Sequence, residues 1–520
     1  MATAFEKAHA DQIVGCLTTV DRLIIHGHLT MLWRPGAFAA FMLRQGIRFG
    51  DFGRYVLKTT EQVKQQAMRI AKEAGRPFIY QQAVVRGKDD LAREIAKRDG
   101  ITQGLVCVLS TLEMANSFTL VEGRIIARKR KCLHFYFYVI DAELGFMHVR
   151  LQSWFPFQIQ IYLNGREWLA RQLDRRGIGY FRYENTFLRI DDLRVAERLC
   201  ASFTARRWWR VFDAFARRAN PVLPVIRRLG FGSYYWVIDA CEVATDLMWK
   251  SRRGLLGILD DLFDHALRSF SAADVVRFLG RRILPGRAEV TSAHKPFLAE
   301  GDSRVAKKRP EGRRIKHRIR RNWIKMYDKW SVLRIETVIN HPYDFKVLRF
   351  KTDKRGKRGG TWVPMNKGIQ NLRRYVEVGT AANRRYLEAL ASAKPTQRAI
   401  AELDQICGGR VIEGARYPKW NPVEQHDCNI FGAVLAGEHA ISGFRNRDLQ
   451  TYLYRTAATA SDEAKRRCSR VCRIIRKLRG HGLVAKVPGS RLYRVTARGH
   501  RVMSAALRFR HLDFPMAMAA

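Results

Sequence analysis

The chain has 520 residues, with 94 Lys and Arg against 48 Asp and Glu, a net charge of +46 and 47% hydrophobic residues. That length exceeds one core and suits about three or four domains of roughly 100–200 residues each, while the apolar fraction excludes a disordered chain. The charge would repel itself on a compact body unless a polyanion neutralised it, so nucleic acid, DNA or structured RNA, is the expected partner.

A membrane-bound basic protein would need a clean amphipathic helix, a lipidation signal or about 18 consecutive apolar residues, and none is found. The opening MATAFEKAHADQIVGCLTTV carries charge too early for a secretory signal, so a cytoplasmic protein with no membrane partner is expected. The cysteines form no Cys-x-x-Cys pair, which argues against a disulfide framework and a zinc ribbon. Core packing is expected for them, including Cys468 and Cys472, four apart on one helix.

In chain order, residues 1 to about 75 read as helical: FEKAHADQIVGCLTTVDRLIIHG, WRPGAFAAFMLRQG and YVLKTTEQVKQQAMRIAKEAG have apolar residues at three-to-four spacing and a closing Gly. PFIYQQAVV, KDDLAREIAKRDG and GLVCVLSTLE alternate strand, helix and strand, a small α/β unit running to about residue 127. KCLHFYFYVID and GFMHVRLQSW form a hairpin around Gly145, and IQIYLN leads to a helix capped by Asn164. GYFRYENTFLRI is a second hairpin with Glu184 and Asn185 at its tip, followed by the helix DDLRVAERLCASF. This order is similar to a split βαβ, ferredoxin-like layout.

ARRWWRVFDAFARRANPVLPVIRRLG reads as a basic helical connector broken by Pro221 and Pro224. YYWVIDACEVATDLMW is partly strand, and two helices follow. Residues 299–321 hold a dense basic tract including Arg313, Arg314, Lys316, Arg318, Arg320 and Arg321, whose first part, AEGDSRVAKKRPEG, reads as a mobile loop. A second basic loop, KTDKRGKRGG, carries Lys354, Arg355, Lys357 and Arg358. The expected fold class is therefore α+β and multidomain: 1–127 helical and small α/β, 128–298 α+β with a basic helical connector, 299–400 completing a ferredoxin-like central body, and 425–520 a C-terminal domain.

Between the two basic stretches, NWIKMYDK and VLRIETVI alternate. Lys325, Tyr327 and Lys329 share one face, opposite Ile324, Met326 and Asp328, and Arg334 and Glu336 share a face in the second strand. With Trp330 and Ser331 at the turn, Tyr327 meets Arg334 and Lys325 meets Glu336, a polar cluster on one face of a hairpin. The bland use of such a cluster is a set of cross-strand ion pairs. The functional use is to present Tyr327 to a phosphate backbone delivered by the basic tract.

In the C-terminal domain, SDEAKRRCSRVCRIIRKLRG puts Val471, Ile474, Ile475 and Leu478 on one helix face and Arg466, Arg470, Arg473 and Lys477 on or near the other. Two short strands around PGS follow, carrying Lys486 and Arg491. The segment resembles the winged helix of bacterial DNA-binding proteins, which implies a basic helix in the major groove and a wing on phosphate.

KMYDKWSVLRIET resembles a strand pair of phage and plasmid replication initiation proteins, in which Y-x-K is followed by L-R-x-E. That resemblance implies DNA nicking by a Tyr nucleophile and a metal held by histidines, and makes Tyr327 and Glu336 the catalytic candidates. The sequence departs from the pattern, since its only His-x-His, His26-Gly27-His28, falls in the N-terminal stretch read as helical. His134 and His148 on one hairpin could approach each other, with Asp141 or Gln152 as a third ligand, but packing is the favoured reading. A divalent metal comes into question only if the chain is catalytic, and Asp141, Glu143, Asp239, Glu242 and Asp246 are the scattered acids that could serve it. The combination of parts is similar to uncharacterised proteins that accompany bacterial mobile elements.

These observations point to a nucleic-acid-binding protein of a mobile element, with a basic α+β body clamping backbone, a winged helix reading a site, and an initiator or transposase-like activity as an extension. The alternative is a non-catalytic RNA-binding protein forming a ribonucleoprotein, with the aromatic and basic stretches HFYFY, RRWWR and FRYENTF stacking on unpaired bases. No P-loop, GxSxG, HExxH or dinucleotide fingerprint is present.

Overall fold

The computed structural model describes residues 2–82, 87–270, 272–280, 301–306, 313–352, 358–391, 404–437, 439, 443–454, 456 and 458–515. The chain is mixed α+β and divides into two compact units, one made of residues 17–244 and 338–377, the other of 1–16, 245–337 and 378–520. No described helix is long and apolar enough to cross a membrane.

The first unit is built on strands β1 (Ile13–His28), β2 (Phe78–Tyr80), β3 (Gly104–Val121), β4 (Arg124–Asp141), β5 (Gly145–Gln152) and β6 (Ile159–Asn164). Their order is β1-β6-β5-β4-β3-β2, antiparallel throughout except for β2, which lies parallel to β3. The α/β crossover expected here is present, its helix spanning Lys88–Arg98. β1 corrects the helical reading of the N-terminal stretch. Its burial alternates, with Leu17, Thr19, Asp21, Leu23 and Ile25 inside, and its β-branched residues fit a pleated surface beside β6. The three-to-four spacing of its apolar residues was therefore incidental to a period of two.

One face of this sheet packs on the helices Pro35–Arg44 and Phe52–Glu73, with Phe38 against Phe118 and Phe155 at ring distances of 5.0 and 4.5 Å. The other face packs in part on the helix Lys88–Arg98, with Ala92 and Ile95 clustered with Leu109, Tyr138 and Phe146, and is polar beyond it. The register sets Tyr136, Arg150, Gln160 and His26 side by side across four strands. Gly145 turns the β4–β5 hairpin at φ +72°, and Asn164 caps the helix Gly165–Asp174 by accepting from the Arg166 and Glu167 amides. Among the described residues β7 (Tyr180–Tyr183) and β8 (Thr186–Ile190) pair only with each other, so the hairpin does not interleave with β4–β6 as a ferredoxin-like layout requires. The missing element is a return strand into the main sheet, which loop-and-strand order alone could not reveal.

The second unit contains the end of β9 (Tyr235–Trp249) and strands β10 (Gly301–Ala306), β11 (Arg314–Ile319), β12 (Asn322–Lys329) and β13 (Val332–Ile339), ordered β10-β11-β12-β13-β9. The segment read as a mobile loop thus contains a strand, β10, and the middle of the dense basic run, Arg314 to Ile319, is β11. Arginines and lysines at alternate positions of RIKHRI are compatible with a strand because Ile315, His317 and Ile319 fill the other face, fully buried or nearly so. Helices Arg252–Ser269, Ala272–Phe278 and Leu372–Leu390 complete this part, with Phe270, Phe278, Tyr386 and His317 in mutual ring contact.

Residues 404–515 have their own core. Helices Gln425–Leu435, Asn446–Leu453, Ser461–Gly480 and Ala497–Arg508 enclose Trp420, Phe431, Phe444, Val471, Ile475, Leu478 and Val502. Between the last two helices Val484–Lys486 pairs with Tyr493–Val495, and an isolated bridge ties Phe444 to Tyr493.

Candidate functional site

The polar cluster expected on the β12–β13 hairpin exists, and it is closed. The Tyr327 hydroxyl donates to Glu336 Oε2 at 2.5 Å, and the Lys325 ammonium contacts Glu336 Oε1. Arg334 lies with its guanidinium 5.8 Å from the Tyr327 ring centre and forms a two-point pair with Asp246 of β9 at 2.8 and 3.0 Å. Tyr327 is 6% exposed and Arg334, Glu336 and Asp246 each 2%, so the cluster is interior. Burial alone would raise the Glu336 carboxyl, but the Lys325 ammonium beside it, the Tyr327 hydroxyl and Arg334 together hold it below its ordinary value. Each carboxylate is matched by a cation, which is the condition for burying charge at all.

The basic residues of β11 share one strand parity but differ in exposure. Arg314, opposite Tyr327 in register, is buried. Lys316 lies 4.0 Å from the Trp323 ring centre, while Arg313, Arg318 and Arg321 are exposed and Arg320 and Lys329 are intermediate. Lys354, Arg355 and Lys357 lie outside the described residues, as does the side chain of Arg358 at the start of the strand Arg358–Pro364.

His134 and His148 are packed, as the favoured reading had it, and do not pair with each other. His134 is in register with Gln152, and His148 with Tyr138, so two pairs of strand positions separate them. His134 Nδ1 sits 3.1 Å from the Cys132 carbonyl, and His148 stacks on Tyr162 at 5.3 Å. His26 and His28 lie on a strand after all, with ring centres 6.1 Å apart, and burial lowers both, His28 to about 4. Between them, a Cβ on Gly27 would fall 2.5 Å from Ile159 Cγ2, so a larger residue has no room here.

The scattered acids are also committed. Asp239 pairs with Lys367 at 3.0 Å, Glu242 with Arg22 at 2.7 Å and Glu143 with Arg206, while Asp141 accepts from the Glu143 and Leu144 amides. Among the described residues no group of three or more His, Cys, Asp or Glu could hold a metal ion.

The C-terminal domain offers the open cationic surface. Along Ser461–Gly480, Val471, Ile475 and Leu478 face the core while Arg466, Arg470, Arg473 and Arg476 are exposed, as are Lys486 and Arg491 of the following hairpin. Lys477 is different: it lies 3.6 Å from the Trp420 ring centre and 3.5 Å from Asp427, an anchor to the domain core. Cys468 and Cys472 are exposed, which corrects their core assignment, because Val471 and Ile475 already fill the inward positions of those turns.

A groove of about 500 Å³ runs beside this helix, lined by Arg416, Tyr417, Arg470, Arg473, Arg476 and Lys477. Arg416 and Tyr417 come from a small hairpin, Arg410–Ile412 with Ala415–Tyr417, that sequence reading passed over. Tyr417 lies so close to the helix end that a Cβ on Gly480 would fall 2.1 Å from its ring, and Arg476 stands 5.9 Å from the ring centre. Among the described residues Arg416, Arg470, Arg473 and Arg476 have no carboxylate partner.

No family model matches this chain, and no curated protein or solved structure matches it either.

Proposed function

We propose that the chain is a nucleic-acid-binding protein of a mobile element, with residues 404–515 acting as a winged helix. The observation that carries this reading is the groove in which Arg416, Arg470, Arg473 and Arg476 converge without a compensating carboxylate among the described residues. Four guanidiniums gathered in one concavity repel each other, and a phosphodiester backbone relieves that repulsion with bidentate hydrogen bonds. The net charge of +46 supports the same ligand class for the chain as a whole.

The initiator-like extension rests on Tyr327 and Glu336. A nucleophile must reach a phosphorus atom, whereas the Tyr327 hydroxyl is interior and already donates to Glu336. That geometry supports use of the cluster as a structural clamp between β12, β13 and β9.

The RNA-binding alternative is favoured by other rings than HFYFY, whose aromatic residues are all buried. Phe181, Tyr183 and Trp209 are exposed, with Arg210 5.2 Å from the Trp209 ring centre. Such rings suit stacking on unpaired bases.

Purification from the native host without nuclease treatment, followed by sequencing of the retained nucleic acid, tests the proposal. DNA from one recurring locus supports the winged-helix reading, one abundant structured RNA supports the ribonucleoprotein reading, and nucleic-acid-free protein overturns both.

A further inference from the structure

β3 and β4 pair from Gly104 with Ile140 out to Val121 with Arg124, with one register shift between Leu105 and Cys107, but β5 accompanies β4 only between His134 and Asp141. Residues 124–131 are therefore an edge, with no strand paired on their other side among the described residues. Their sequence is RIIARKRK, and Arg124, Arg128, Lys129, Arg130 and Lys131 are all exposed. Arg130 donates to Thr119 Oγ1 at 3.0 Å, and among the described residues none of the five has a carboxylate partner. The opposing strand is packed down by Ala115, Ser117, Phe118 and Thr119, all buried, so the cations stand on a supported ledge.

A charged edge strand is ordinarily explained as protection against edge-to-edge pairing, and one or two lysines accomplish that. Here five cations occupy eight positions and project from both faces of the strand, Arg124, Arg128 and Arg130 to one side and Lys129 and Lys131 to the other. At a rise of about 3.4 Å per residue the stripe is about 24 Å long, the span of roughly seven phosphates along one strand of a duplex.

We propose that residues 124–131 form a second nucleic-acid contact, a ledge that follows one phosphodiester backbone without reading bases. The proposal rests on the nucleic-acid reading of the chain but not on the C-terminal groove, since the two surfaces belong to different units. The recognised chemistry is a run of phosphodiesters, whether of DNA or of RNA.

The test uses the full-length protein, a mixed-sequence DNA duplex and an RNA hairpin, with affinity measured across a salt series. Arg124→Gln, Arg128→Gln, Lys129→Gln and Lys131→Gln are combined in one variant, and Arg416→Ala, Arg470→Ala, Arg473→Ala and Arg476→Ala in another. Each phosphate contact contributes about 0.9 to the slope of log affinity against log salt, so the ledge variant should lose roughly two to four in slope and about tenfold or more in affinity, alike for all sequences. The probe that shows the loss identifies the polymer. Unchanged slope in the ledge variant, with loss in the groove variant, overturns the ledge and leaves the groove reading standing. The reverse result upholds the ledge and removes the groove, and a wild-type protein that binds neither probe overturns both. If the ledge variant does not fold, amine acetylation of the wild type decides: protection of Lys129 and Lys131 by the probe supports the contact, and equal reactivity with and without it overturns the proposal.

Discussion

Arg334 and Asp246 meet through two parallel hydrogen bonds, at 2.8 and 3.0 Å, in a site where each side chain is almost wholly removed from water. The pair joins β13 to β9, and its strength is conditional. Removing one partner strands a buried charge, whereas replacing both with packed apolar groups need not destabilise. Asp246→Ala should therefore cost about 3–5 kcal/mol of unfolding free energy, and a combined Arg334→Met, Asp246→Leu variant much less. Urea denaturation of the three proteins decides: equal losses would mean that the pair itself, rather than the orphaned charge, sets the stability.

Glu336 gives this unit an acid sensitivity of defined sign. Its folded carboxyl is held below the ordinary 4.5, so the unfolded chain binds the proton more tightly. The stability it contributes is complete above the unfolded value and is lost as pH falls through the folded one. Glu336→Gln should lower stability at neutral pH and flatten its decline below about pH 4.5. Denaturation midpoints across that range measure this, and parallel curves for the two proteins would contradict it.

A second acid transition belongs to histidines. Burial lowers His28, His134, His265, His317, His439 and His500 from 6.5 to about 4, so each is neutral in the folded chain at neutral pH. Because the folded values are depressed, stability is complete above 6.5 and drains between 6.5 and 4, by at most about 1.4 kcal/mol per pH unit for each residue. Unfolding midpoints should thus begin to fall before Glu336 titrates. His317→Phe, which keeps the ring contact with Phe270 but loses the hydrogen bond to Tyr386, should shrink this early decline.

Tyr327→Phe separates chemistry from scaffold. The hydrogen bond to the ionised Glu336 is worth about 1.5–3 kcal/mol, so stability should fall by that order while nucleic-acid affinity stays within twofold or so. A strand-cleavage assay run beside the binding assay settles the role, because lost cleavage with retained binding would restore Tyr327 as a nucleophile.

In the C-terminal domain, Arg470→Ala with Arg473→Ala should weaken binding to a preferred duplex by about 1–3 kcal/mol for each base contact removed, without moving the melting temperature. Arg318→Ala with Arg321→Ala, on the exposed side of β11 and its turn, should act on all sequences alike. Band-shift assays with specific and scrambled duplexes distinguish the two patterns.

Sequence periodicity served well where one face of an element is buried and the other wet. The Ser461–Gly480 helix and the β12–β13 hairpin came out with the expected residues on the expected faces. It failed at β1, where Leu17, Leu23 and Ile25 fit both a helical and a strand period and only the partner strand decides. It also could not tell a strand from a loop in the basic tract, because Arg314, Lys316 and Arg318 take every second position of β11 and the density of charge around them masks the alternation of Ile315, His317 and Ile319. Arg416 and Tyr417 were invisible for another reason. Their hairpin has three residues per strand, too few to show a period, and their meaning comes from a helix end some sixty residues later, where Gly480 admits the Tyr417 ring.

The division of the chain has a consequence for its synthesis. The unit holding β10–β13 draws on residues 1–16, 245–337 and 378–520, and the Thr337 hydroxyl and Thr245 are tied together through Asn383. On the ribosome, the unit that begins at residue 17 can nearly complete its sheet as the chain emerges, while the first residues wait for partners that are translated hundreds of codons later. Premature termination between β13 and the helix carrying Asn383 would leave the strands of that unit without part of their cover, and release a species with unpaired apolar surface to chaperones and proteases.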